Sequence, residues 1–122
     1  MTVYLTTEDL LALVDDLGVG PVRDLGLLGS AAHRPTTVLW GTDVYPTVVL
    51  KAAALHDSLV NNHALLDGNK RLGWLAMIVF LDVNGIWIEA PDDEAYDLVV
   101  AVADRSATID EISDALLRWS QP

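Results

Sequence analysis

Apolar positions recur at helical spacing along most of this chain, and the residues that interrupt them are helix starters and stoppers. Thr6 and Thr7 offer capping hydroxyls, Glu8 and Asp9 put carboxylates at the positive end of a helix, and Leu10, Leu13, Val14 and Leu17 share one face. This predicts a first helix that stops near Gly18, where the cluster from Gly18 to Pro21 breaks the pattern. A second, short helix is expected over Asp24 to Ala32. Pro35 ends it. The run Thr36, Thr37, Val38, Leu39, Trp40, Gly41 is brief, β-prone and bounded by proline and glycine, which predicts a small hairpin or flap.

Pro46 suits the first turn of a third helix, whose apolar stripe is Val48, Ala52, Leu55 and Leu59. From Asn69 onward, Leu72, Leu75, Ala76, Val79, Phe80 and Val83 form a stripe, but Trp74, Met77, Ile78 and Leu81 fill the other faces as well. A helix apolar all round belongs at the centre of a bundle. Asn84 and Gly85 stop it, Ile86 to Ile88 read as extended, and Pro91 with Asp92, Asp93 and Glu94 opens another helix. Thr108 and Glu111 form a capping box for the last one, which aligns Ile112, Ala115, Leu116 and Trp119. The expected fold class is therefore all-α: about six helices around one buried helix, with a small β flap and no internal repeat.

Composition narrows the setting. A chain of 122 residues suits a single domain over 1–122, and 52% hydrophobic against 20% charged residues is a balance that buries a core. Seven Lys and Arg against 18 Asp and Glu leave a net charge of −11, a field that repels nucleic-acid backbones and anionic lipid. Neither DNA binding by the chain itself nor membrane association is expected. The absence of cysteine excludes disulfides, thiolate metal sites and a cysteine nucleophile. The longest apolar stretch, Leu72 to Leu81, is too short to span a bilayer, and Met1 to Leu11 has no basic region before an apolar run, so the expectation is cytoplasmic.

Against that background one segment stands apart. His63, Ala64, Leu65, Leu66, Asp67, Gly68, Asn69, Lys70, Arg71 packs a base, a carboxylate, a glycine, an amide and two cations immediately before the most apolar helix. Gly68 and Asn69 fall where that helix begins, so unpaired backbone N–H groups and the helix dipole suit a phosphate. Lys70 and Arg71 are the one adjacent basic pair in the chain, which in so acidic a protein reads as local anion recruitment. Asp67 is placed to share Mg²⁺ with nucleotide phosphates, since magnesium favours one or two carboxylates plus phosphate oxygens. An imidazole ordinarily titrates near ~6.5, so His63 qualifies as a general base toward a hydroxyl. The reaction class is group transfer from a nucleotide to a hydroxyl.

At these residues the sequence resembles the Fic/Doc family, whose loop reads H-x-F-x-(D/E)-G-N-(G/K)-R. The resemblance continues upstream through Gly26-Leu27-Leu28 with Ser30-Ala31, Arg34-Pro35, and Tyr45-Pro46 before Lys51-Ala52-Ala53-Ala54-Leu55, in the manner of the death-on-curing (Doc) branch of toxins. It implies that His63 is the catalytic base, Asp67 the magnesium ligand, and Gly68, Asn69, Lys70 and Arg71 the phosphate cradle. It also implies that Arg34 to Gly41, with Arg34, Thr36, Thr37, Val38 and Leu39, is the flap that positions a target. Fic proteins proper transfer AMP and carry a glycine at Lys70 and a second arginine at Trp74. The Doc branch shares the lysine and moves the terminal phosphate of ATP to a threonine of elongation factor Tu. The resemblance thus implies a kinase using ATP and Mg²⁺ against a translation protein. Leu65 stands where the family has phenylalanine, and Leu72-Gly73 where the Doc branch has Thr-Ala. None of Glu8, Glu89, Glu94 or Glu111 precedes the glycine or asparagine of the family's inhibitory segment, which implies restraint by a separate antitoxin.

Plainer readings stand beside these. A histidine before a helix often only caps it, and Asp67-Gly68-Asn69 is by itself a common turn. Lys70-Arg71 would be a solvated helix start, although cations there oppose the dipole. His56-Asp57, with His33 upstream, resembles the dyad of HD-type metal phosphohydrolases. AMP transfer also fits the loop, as does an inactive module that acts only by binding its antitoxin.

Overall fold

The computed structural model describes residues 1–121, and among these it contains six α-helices and two small two-stranded sheets. The helices are α1 (Thr7–Leu17), α2 (Leu25–His33), α3 (Val48–Asn61), α4 (Asn69–Val83), α5 (Asp92–Ala103) and α6 (Ile109–Trp119). A 3-10 turn, Arg34–Thr36, leads from α2 into a hairpin of β1 (Val38–Leu39) and β2 (Thr42–Asp43), the expected flap. β3 (Trp87–Ile88) fulfils the extended reading of that stretch and pairs antiparallel with β4 (Ser120–Gln121), a partner no local pattern announces.

Local chemistry sets the helix starts. Thr6 and Thr108 complete reciprocal capping boxes with Asp9 and Glu111, while Asp24 and Thr47 accept from the third amides of α2 and α3. The helix bounds accordingly fall within a residue or two of those expected.

A buried central helix is present, and α3 holds that place. Three consecutive alanines, Ala52, Ala53 and Ala54, are wholly enclosed, as are Leu55, Leu59 and Val60, because their slender side chains let α2, α4, α5 and α6 pack on every side. α4, the longer and more apolar helix, buries Leu72, Gly73, Ala76, Met77, Phe80 and Leu81 but leaves Trp74, Leu75, Ile78 and Val79 partly exposed. Apolar character all round therefore did not translate into enclosure all round. Gly73 makes the α3–α4 approach possible: a Cβ there would lie 2.7 Å from Val60 Cγ2 and 3.4 Å from His56 Nδ1.

His56 is wholly buried at this crossing, edge-on to Trp74, and neither ring nitrogen makes a hydrogen bond of good geometry, the Gly73 backbone being the first polar group to oppose the effect of its burial. Burial holds its pKa below the ordinary value of 6.5, with the charge of Asp57 among the opposing influences. The folded chain therefore resists a proton that the unfolded chain accepts, and stability falls as pH drops below about 6.5, by at most ~1.4 kcal/mol per pH unit. Urea midpoints at pH 7.5 and 5.5 should show this fall, and His56→Leu should reduce it; an identical pH dependence in that variant would refute the assignment.

Candidate functional site

α3 runs out at Asn61, and six residues, 63–68, separate Asn62 from α4; His63 opens this connection in a left-handed conformation, with φ of 55°. That conformation is routine after a helix for glycine and uncommon for any other residue, although histidine, like asparagine, tolerates it better than most. From outside the loop Arg23 grips the His63 carbonyl with Nε at 3.1 Å and Nη2 at 2.5 Å. The imidazole itself remains exposed and makes no hydrogen bond among the described residues.

The rest of the loop is laced to the segment before α2. Arg23 and Asp24 donate their amides to the Ala64 carbonyl, Leu66 N–H donates to Pro21, and Gly20 N–H donates to the Asp67 carbonyl at 3.0 Å. Inside the loop the Asn69 side chain accepts from Leu65 N–H at 3.0 Å and donates to the Leu65 carbonyl at 2.9 Å. Leu65 is 1% exposed, so the smaller residue still anchors the loop in the core. Gly68 adopts φ of 95°, and a Cβ there would stand 2.6 Å from Val19 Cγ1 and nearer still to Val19 Cβ. Both the torsion and the approach require glycine.

Gly68 is also the N-cap of α4 and supplies no capping side chain, unlike the caps of α1, α2, α3 and α6. The first turn of α4 instead carries Lys70 and Arg71, both exposed. Positive side chains beside uncapped amides oppose the helix dipole, and an anion seated there would reconcile them. Arg71 lies 3.9 Å from Asp67, too far apart and too exposed to hold either charge in place.

His63, Asp67, Gly68, Asn69, Lys70 and Arg71 line one open pocket of about 280 Å³, completed by Val60, Leu66 and Ala103. Every residue expected to be catalytic, metal-binding or phosphate-binding is thus brought to a single cavity. An apolar groove of about 500 Å³, between Leu17, Trp74, Leu75, Tyr96, Val99 and Val100, adjoins it and shares Lys70 and Arg71. Two cations near the loop have no motif to announce them: Arg23, and Arg105, whose Nη2 reaches the Asn61 carbonyl at 3.4 Å. Their one sequence signal is rarity, since in a chain with seven Lys and Arg each must be accounted for.

The flap residues separate into two groups. Val38 and Leu39 form β1 and are exposed. Thr36 and Thr37 turn their hydroxyls back to the carbonyls of His33 and Arg34. Arg34 points inward, donating to Asp57 Oδ2 at 2.7 Å, Ser58 Oγ at 2.9 Å and Tyr45 Oη at 3.0 Å. Those bonds, with burial opposing them, leave its pKa above the ordinary arginine value. Asp57 also accepts from Asn61, so it is a structural partner on α3, while His56 faces the core; this separates the pair that resembled a metal dyad.

A model of the family described as Fic/DOC matches residues 4–81, more than half of the chain. The curated protein Toxin Doc of Mycolicibacterium smegmatis (strain ATCC 700084 / mc(2)155) is 45% identical over 121 residues, which cover 95% of this chain and 92% of that one.

Proposed function

The chain belongs to the Fic/Doc family, and on that premise we propose that it is the toxin of a toxin–antitoxin module. In this reading it transfers the γ-phosphate of ATP to a hydroxyl, a threonine of a bacterial translation protein such as elongation factor Tu. One observation carries the assignment of the site: His63 is held in a left-handed backbone by Arg23, exposed and unbonded, at the rim of the pocket that contains the uncapped start of α4. Strain kept at an exposed histidine has no structural return of its own and is typical of functional positions.

The His63 imidazole takes the proton of the target hydroxyl as its oxygen bonds to the γ-phosphorus. The bond from that phosphorus to the bridging oxygen breaks, and ADP leaves. The amides at the start of α4, with Lys70 and Arg71, hold the phosphates and offset the charge they carry through the transfer. Asp67, exposed on the pocket wall, fits Mg²⁺ as one carboxylate completed by phosphate oxygens, and the ion would supply further charge neutralisation there. Lys70, where AMP-transferring relatives have glycine, favours phosphate transfer. Leu65 buried and hydrogen-bonded favours an active enzyme over an inactive binding module. Restraint falls to a cognate antitoxin, since no glutamate of the chain sits in the inhibitory pattern.

Label transfer to proteins of a bacterial lysate tests this reading. ATP labelled on the γ-phosphate should mark a protein band and ATP labelled on the α-phosphate should not. Transfer of the α label instead would establish AMP transfer, and transfer of neither would overturn the enzyme.

A further inference from the structure

We propose that Trp40 is the specificity-determining contact for the protein substrate, held out by a hairpin that two inward-facing cations clasp to the helix leading into His63. The inference rests on the transferase reading and adds to it which residue selects the target.

Trp40 and Gly41 are the two central residues of the β1–β2 turn, with φ of 53° and 77°. Two-residue turns with both torsions positive favour asparagine, aspartate or glycine at the first position. A bulky side chain there is disfavoured by its own Cβ. The indole recovers none of this within the chain, because Trp40 is 91% exposed. Val38 and Leu39 beside it are also more than half exposed. An aromatic side chain placed where the backbone disfavours it and where no contact stabilises it is accounted for by a partner that buries it.

The arm beneath Trp40 is rigid. Lys51, although 3% exposed, directs its ammonium to the Tyr45 carbonyl at 2.6 Å and to the Pro35 carbonyl and Asp43 Oδ2, each at 3.4 Å. Three acceptors meet the three donors of a lysine, which is what its burial requires. They lie on both sides of the hairpin, so one side chain closes its base. Arg34 makes the second attachment through Tyr45, Asp57 and Ser58. Lys51, Asp57 and Ser58 all belong to α3, whose end lies two residues before His63. The helix thus serves as a common ruler between the base of the flap and the catalytic imidazole. Lys51 and Arg34 are positioning residues, and Trp40 touches the target, through an apolar recess near its hydroxyl-bearing segment.

The decisive variant is Trp40→Asn, which installs the favoured turn residue and cannot fail for lack of a folded hairpin. Its melting temperature should equal or exceed that of the parent and its ATP affinity should be unchanged. The amount of lysate substrate needed for half-maximal labelling should rise at least about tenfold, with little change in the maximal rate. Parental substrate dependence in this variant overturns the role of Trp40. Absence of any transfer by the parent protein overturns the transferase reading and the docking role together. The clasp is read separately by hydrogen exchange in Lys51→Met: the Val44 amide, bonded to the Thr37 carbonyl, should exchange faster while the Leu65 and Leu66 amides do not. Uniform acceleration, or none at Val44, overturns the clasp.

Discussion

Replacement of His63 by alanine is expected to reduce label transfer by about 10² to 10⁴-fold while leaving the helical circular dichroism spectrum and the melting temperature unchanged. The side chain is exposed and makes no hydrogen bond among the described residues, so its removal takes nothing from the fold. The backbone torsion of 55° persists, because Arg23 holds the carbonyl and not the ring. His63→Gly sharpens the test: glycine adopts this torsion freely, so that variant should be more stable by up to about 1 kcal/mol and equally inactive. A more stable protein without activity separates a residue kept for chemistry from one kept for structure. Undiminished labelling by either variant would remove His63 as the base.

The second large effect belongs to Gly68→Ala. Its φ of 95° and the approach of Val19 within 2.6 Å of an added Cβ both oppose the methyl group. Strain and overpacking together predict a loss of about 2 to 4 kcal/mol in urea unfolding. Because Gly68 is the N-cap of α4, the displacement also reaches the amides that face the pocket, and ATP affinity should fall with it. Adding Val19→Gly should restore part of the stability, since it removes Val19 Cβ and Cγ1, the atoms the added methyl group strikes. Because Val19→Gly removes every Val19 side-chain atom near the new methyl group, no recovery beyond the cost of Val19→Gly alone would show that torsion is responsible; full stability and affinity in Gly68→Ala would remove the cradle.

Much of the site was legible because its members are contiguous. His63, Asp67, Gly68, Asn69, Lys70 and Arg71 lie within nine residues, and the helix that follows keeps them together whatever surrounds it. Arg23, Arg105 and Val19 were not legible, because they arrive from segments roughly forty to fifty residues away and act through backbone carbonyls or sheer proximity. Arg34 was legible as part of the flap but not in its direction: only the position of Asp57 and Ser58 on α3 turns it inward.

Local sequence sufficed to place where helices begin and end and to single out the loop of the candidate site, because caps, turn residues and the loop's polar groups act within a few residues of one another. Three-dimensional packing settled that the alanine-rich α3 rather than the more apolar α4 is enclosed, that Arg23 holds the backbone carbonyl of His63, and that Lys51 binds the flap. Enclosure depends on how closely neighbouring helices can approach, and slender side chains permit what hydrophobicity alone does not reveal.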